Sequence, residues 1–146
     1  MIGIDTNILV RYLTRDDEPQ FEIARNLIQN VAGQPVLIVL LVLLETEWVL
    51  RSCYKFAKAD IAAVFTNLLE TRETVFEDEQ TLEEALHSWK NSRADFADCL
   101  IVAKGRRLGC TSVATFDSNA GKLQGAGLLE TPSPDYQSNM KNARNG

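Results

Sequence analysis

The chain has 146 residues, the usual size of one domain, and its 45% hydrophobic and 24% charged residues are ordinary for a soluble globular protein. Acidic residues outnumber basic residues by 20 to 15, which argues against nucleic-acid binding by general neutralisation of phosphates. The three cysteines are odd in number and show no CxxC spacing, which argues against a disulfide framework and predicts a reducing, cytoplasmic compartment.

The predicted elements alternate between short apolar segments, which favour strands, and segments with apolar residues at helical spacing. The longest apolar run, 36–44, is about half of what a membrane-spanning helix needs, and no membrane segment is expected. In chain order, the predictions are a strand over 2–4, a helix containing 24–31, a strand over 36–39, a helix over 40–53, a helix containing 61–69, a strand over 73–76, a helix containing 82–89, a helix over 96–108, a strand over 111–116 and a strand near 128–131.

Short strands separated by helices predict an α/β domain with a mostly parallel sheet of about five strands flanked by helices. We expect one domain over 1–131 and a polar C-terminal tail over 132–146, which is rich in Pro, Ser, Asn and charged residues. In such sheets ligands bind outside the carboxyl ends of the strands. The residues predicted at those ends are carboxylates.

Five acidic residues follow predicted strands or lie near the start of predicted helices. Asp5 follows the first strand in the run GIDTN, and Asp117 follows a late strand in VATFD. Glu45 lies near the start of a helix in LLETEWVL. Asp95 and Asp98 fall in the first turn of the helix that opens ADFADCLIVA. If the first and fourth strands are neighbours, all five side chains converge on one edge of the sheet.

A convergence of this kind predicts a divalent-metal site. Like charges that lie close together are unfavourable unless something neutralises them. Mg²⁺ and Mn²⁺ prefer carboxylate oxygens, and phosphate oxygens complete their coordination. The ion activates a water and stabilises both the attacking and the leaving oxygen. The pattern therefore predicts metal-assisted hydrolysis of phosphodiester bonds.

Most of these acidic residues also have a purely structural explanation, which the sequence leaves open. Asp5 with Asn7 fits an Asx turn, and Asp117 fits a turn after its strand. Asp95 fits a helix N-cap, with Asp98 three residues later completing a cap-like pair. For Asp95 the capping role is the better explanation.

Other charged residues have less specific explanations. Glu45 stands in an apolar run, where a carboxylate without a partner is costly, whereas Glu47 fits a solvated helix face. Lys104, Arg106 and Arg107 offer phosphate contacts, but a cationic last helical turn explains them better.

The chain resembles PIN domains, and within them the VapC-type toxins of bacterial and archaeal toxin–antitoxin pairs. The resemblance runs from Met1 to about Glu130 and rests on four motifs in order, GIDTNILVRYL, LLETEWVL, ADFADCLIVA and VATFDSNAGKL. It implies a single PIN-like domain, an endoribonuclease toxin acting on RNA, a homodimer, and a small antitoxin partner called VapB.

The resemblance also implies roles for individual residues. The positions that match the catalytic Mg²⁺ or Mn²⁺ ligands of the family are Asp5, Glu45, Asp98 and Asp117. The supporting positions are Asp95, Asn7 and Thr115. In one departure, relatives often have Ser about six residues before the Glu, where this chain has Val39, and this removes a helix cap.

Two expectations concern partners. Consecutive helices carry more apolar surface than one sheet face covers, which predicts an exposed patch and a two-fold homodimer interface. That patch comprises Trp48, Val49, Ile61, Val64, Phe65, Leu68 and Leu69. A pocket of carboxylates is also expected to attract an Arg or Lys side chain of the antitoxin, because negative potential is concentrated there.

Two other functions stay open. A phosphatase of the haloacid-dehalogenase type also has an Asp after its first strand, but it needs a second Asp where Asn7 stands. A non-catalytic module that keeps the fold and binds RNA or protein fits a decayed site, whereas all four matched acidic residues are present. Metal-dependent cleavage separates these functions from the ribonuclease.

Overall fold

A computed structural model describes residues 1–29 and 33–132, which form five strands and six α-helices. The strands are β1 Ile2–Gly3, β2 Val36–Ile38, β3 Thr74–Phe76, β4 Val113–Thr115 and β5 Ala126–Leu128. The helices are α1 Thr6–Thr14, α2 Glu18–Ile28, α3 Leu40–Ser52, α4 Lys58–Leu69, α5 Glu79–Lys90 and α6 Phe96–Arg107, and a 3₁₀ helix spans Ala120–Lys122. The predicted α/β class is confirmed. Val31 and nearly all of the expected polar tail, 133–146, lie outside the described residues.

The strands pair in parallel, as predicted, but in two groups. β1, β2 and β3 form one sheet in that order, and β4 pairs with β5. Within the described residues β1 and β4 are therefore not neighbours. The convergence of all five acidic residues was expected only if these two strands were neighbours. The strands are only two or three residues long, so each has few backbone N–H and C=O groups with which another strand could pair.

The first helix is not predicted by apolar periodicity. α1 starts directly after Asp5, whose extended backbone and Oδ1 cap the helix by accepting from the Thr6 N–H at 2.7 Å. Arg15, in the left-handed conformation with φ 54°, ends the helix. Asp5 is therefore fixed at the junction between β1 and α1.

The helix that carries Glu45 begins without a side-chain cap. Val39 holds the N-cap position of α3 and forms no capping hydrogen bond. The Leu40 N–H instead donates to Glu77 Oε1 at 2.9 Å. The cap expected to be lost at Val39 is thus absent, and Glu77, just after β3, satisfies one of the free N–H groups at this helix end.

The core is centred on β2 and an aromatic cluster between three helices. Val36 and Ile38 of β2 are fully buried. The Phe96 ring lies 5.5 Å from the Phe65 ring and 5.0 Å from the Trp89 ring, which joins α6 to α4 and α5. Burial of each such side chain contributes about 1.5–3 kcal/mol. This packing holds the first turn of α6, where Asp98 lies.

The apolar patch predicted as a dimer interface is mostly core. Ile61, Phe65 and Leu68 are buried, because α5 packs over the apolar stripe of α4. Of the seven predicted residues only Trp48 is exposed, at 56%. The stripe showed that one helix face is apolar, but not which element covers it. Among the described helices, none is long and apolar enough to cross a membrane.

Candidate active site

Three of the predicted site residues line one groove between α1 and α3. Asp5 stands at the N-terminus of α1, and Glu45 projects from the second turn of α3. The groove has a volume of about 440 Å³. Its lining residues are Asp5, Thr6, Asn7, Val10, Arg11, Glu45, Val49, Cys53 and Tyr54. The groove therefore brings together Asp5, Glu45 and Asn7 of the predicted set.

The hydroxyl of Thr6 has no partner in this groove. Thr6 is 7% exposed, and its Oγ1 forms no hydrogen bond with any residue in the described parts of the chain. A buried hydroxyl without a partner is costly, so a polar group that reached this oxygen would be stabilised by it. Nothing in the sequence beyond its position next to Asp5 marks Thr6.

A second group of carboxylates surrounds the first turn of α6. Asp98 is half-buried, and burial raises the pKa of its carboxyl. The negative charges of Asp117 and then Asp95 raise the pKa further. Asp95 and Asp117 therefore both lie within electrostatic reach of Asp98, and this repulsion favours a cation near Asp98.

Asp117 lies in a turn and also has a free carboxylate oxygen. Its Oδ1 accepts from the Ala120 N–H at 2.8 Å, and its own N–H donates to Thr115 Oγ1 at 3.0 Å. Within the described chain, Oδ2 has no hydrogen-bond partner. The turn explanation is thus correct for Asp117, and Thr115 helps to fix that turn.

Asp95 occupies the N-cap position of α6, as expected, but its side chain forms no capping hydrogen bond. Its negative charge interacts with Arg51 of α3. The pKa of Arg51 is raised first by its hydrogen bond to Glu47, and the charge of Asp95 raises it as well. The side chain of Asp95 is therefore explained better by electrostatics than by capping.

The two glutamates of α3 have environments opposite to those expected from the sequence. Glu47 is 3% exposed and accepts from Arg51 Nε at 2.7 Å, so it does not belong to a solvated face. Glu45 is exposed in the groove and is not buried in the apolar run. Because successive helical residues turn by about 100°, positions two apart face nearly opposite sides of α3.

The predicted site residues fall into two subsets. Among the described residues, no group of three Asp, Glu, His or Cys side chains lies close enough together to hold one ion. Asp5 and Glu45 form the groove subset, and Asp95, Asp98 and Asp117 form the α6 subset. α3 borders both, because it carries Glu45 and the Arg51 that faces Asp95. The donors of both subsets are carboxylate oxygens, the donor type that Mg²⁺ and Mn²⁺ prefer.

The chain is similar to known proteins over a range that contains both subsets. A family model described as PIN domain matches residues 2–125. Among curated proteins, a VapC ribonuclease of Aquifex aeolicus (strain VF5) is 24% identical over 122 residues, which covers 82% of this chain and 90% of the relative. The segment matched by the family model contains Asp5, Glu45, Asp98 and Asp117.

Proposed function

The chain belongs to the PIN-domain family, and on that premise we propose that it is a metal-dependent endoribonuclease, the toxin of a cytoplasmic VapBC-type toxin–antitoxin pair. The VapC ribonuclease relative supports this assignment. The observation that carries it is the groove in which Asp5 and Glu45 lie beside the unpartnered Thr6 hydroxyl. The α6 subset adds Asp98 and Asp117.

Each group of residues has its own task in this proposal. Asp5, Glu45, Asp98 and Asp117 would hold Mg²⁺ or Mn²⁺. The ion would supply positive charge and lower the pKa of a water. Thr115 holds the turn that presents Asp117, and Asn7 lines the groove beside Asp5. Asp95 adds negative charge next to Asp98, which strengthens the attraction for a cation.

Cleavage of single-stranded RNA by the purified chain tests this proposal. With Mg²⁺ or Mn²⁺ we expect cleavage that excess EDTA abolishes and added divalent ion restores. The products are expected to carry 5′-phosphate and 3′-hydroxyl ends, because water and not the RNA 2′-hydroxyl attacks the phosphate. Cleavage that persists in EDTA, or 2′,3′-cyclic phosphate ends, would contradict the mechanism. RNA binding without cleavage under any of these conditions would favour a non-catalytic module.

The proposal extends to a homodimer and a VapB-type antitoxin. Leu41 and Trp48 are exposed at 71% and 56%, and they lie seven residues apart on one face of α3. We expect this face to contribute to the dimer in place of the buried stripe of α4. Light scattering should give a mass near twice 16.3 kDa for the chain alone, and a larger mass with its antitoxin. A monomer mass at micromolar concentration would contradict the dimer.

The antitoxin is expected to place an Arg or Lys side chain in the groove, near Asp5 and Glu45. The two carboxylates concentrate negative potential there, and a cation from the partner would compete with the metal ion for them. A structure of the complex with the antitoxin bound far from this groove would contradict that mode of inhibition.

A further inference from the structure

We infer that Arg11 binds a phosphate of the RNA strand next to the phosphate that is cleaved. The inference rests on the proposed function and specifies how the substrate lies in the groove. A chain with a net charge of −5 attracts RNA weakly overall, so a cation at the site has a large influence on where the strand binds.

Arg11 lines the same groove as the carboxylates. Among the described residues that line it, Arg11 is the one Lys or Arg. It follows Asp5 by six positions, so it lies about 9 Å further along α1 at the usual rise of 1.5 Å per residue. Glu45, Val49 and Cys53 line the facing side at intervals of about one turn. A strand bound along the groove with its scissile phosphate at the carboxylates would therefore bring a flanking phosphate to Arg11.

The guanidinium group of Arg11 is held in place but keeps free donors. Its Nε donates to Gln20 Oε1 at 2.6 Å, and Nη1 donates to Asp16 Oδ1 and to the Tyr54 hydroxyl at 3.1 Å each. Nη2 makes no hydrogen bond within the described parts of the chain. A planar group fixed on one side loses little freedom when it binds phosphate.

The ion pair with Asp16 leaves positive charge available at the groove. The Arg11 and Asp16 side chains are 34% and 42% exposed, so water screens their attraction. Asp16 also accepts from the Tyr54 hydroxyl at 2.7 Å and from Thr14 Oγ1 at 3.0 Å, so it has partners besides Arg11. Arg11 is therefore able to share its charge with a phosphate.

The test compares Arg11→Met and Arg11→Lys with Arg15→Met as a matched control. Arg15 lies on the same helix end and pairs with Glu18 at 2.7 Å, but it does not line the groove. For Arg11→Met we expect KM for RNA to rise roughly tenfold or more with little change in kcat. Binding is measured in the cleavage-deficient Asp98→Asn background. There Arg11→Met should make the negative slope of log binding constant against log salt concentration shallower by about 0.7, the value for one phosphate of a single strand. Arg11→Lys should keep the slope but bind more weakly, and Arg15→Met should match wild type.

A purely structural role for Arg11 predicts different results. Tyr54→Phe removes the hydroxyl that bridges Arg11 and Asp16 but keeps the Arg11 charge. If Arg11 only braces α1 against the end of α3, Tyr54→Phe should reproduce the loss seen in Arg11→Met, both should unfold at lower temperature, and neither should alter the salt slope. That result, or an Arg11→Met protein with wild-type KM and slope, would overturn the inference. Wild-type protein that binds RNA without cleaving it would instead overturn the proposed function, and the salt slope would still report on Arg11.

Discussion

Asp5→Asn and Asp98→Asn are each expected to lower RNA cleavage by orders of magnitude while the chain stays folded. Asn keeps the size of Asp but removes the charge that a divalent cation requires. At position 5 the amide oxygen of Asn is able to accept from the Thr6 N–H, so the cap of α1 survives. At position 98 the substitution removes a carboxylate whose pKa is raised by burial and by two neighbouring charges, so stability should be equal or higher.

Asp95→Asn provides the matched control for Asp98. Asp95 makes no capping hydrogen bond through its side chain, and Asn is as good an N-cap residue as Asp. We therefore expect a smaller loss of cleavage than at Asp98. Initial rates on one RNA, with circular dichroism to verify folding, measure all three variants. Equal losses at Asp95 and Asp98 would show that both residues serve the site directly.

Asp78→Asn is expected to lower the free energy of unfolding at pH 7 by about 2 kcal/mol, the size of a hydrogen bond to a charged group. Asp78 caps α5 by accepting from the Thr81 N–H at 3.0 Å, and it accepts from Lys104 Nζ at 2.8 Å. Arg107 Nε lies 3.4 Å from its Oδ1. The side chain is 12% exposed, so these charges are poorly screened. The cationic last turn of α6 is therefore tied to the start of α5.

The pH dependence of this effect has a definite sign. Burial would raise the pKa of the Asp78 carboxyl, but hydrogen bonds from Lys104 and Thr81 outweigh it and hold the pKa well below its ordinary value. The stabilisation is therefore complete above the unfolded pKa, near 4, and declines as the pH falls below it. Urea unfolding at several pH values should show the difference between wild type and Asp78→Asn narrowing below about pH 4.

Asp17→Asn is the control for the capping part of this effect. Asp17 caps α2 by accepting from the Gln20 N–H at 3.0 Å, and it forms no ion pair with any described residue. Because Asn replaces Asp well at an N-cap, we expect Asp17→Asn to change stability little. Equal effects at positions 17 and 78 would show that the ion pairs of Asp78 do not contribute.

The α/β class, most of the elements and the acidic residues of the family motifs could be predicted from the sequence. These features depend on local patterns, such as the apolar stripe of α4 or a carboxylate directly after a short strand. α1 was missed because its start depends on a single cap at Asp5, which also fits a simple turn. The family model matches residues 2–125, a range that contains these motifs.

Which surfaces are covered and which charges meet depends instead on contacts between elements that are far apart in the sequence. The stripe of Ile61 and Phe65 is core because α5 packs over it, a partner that periodicity does not identify. Glu45 faces the groove and Glu47 the interior, because the rotation of α3 is set by its neighbours and not by its own sequence. Arg11 enters the groove because α1 packs against α3, far away along the chain. Burial and electrostatics act through space, so these assignments required the packed chain.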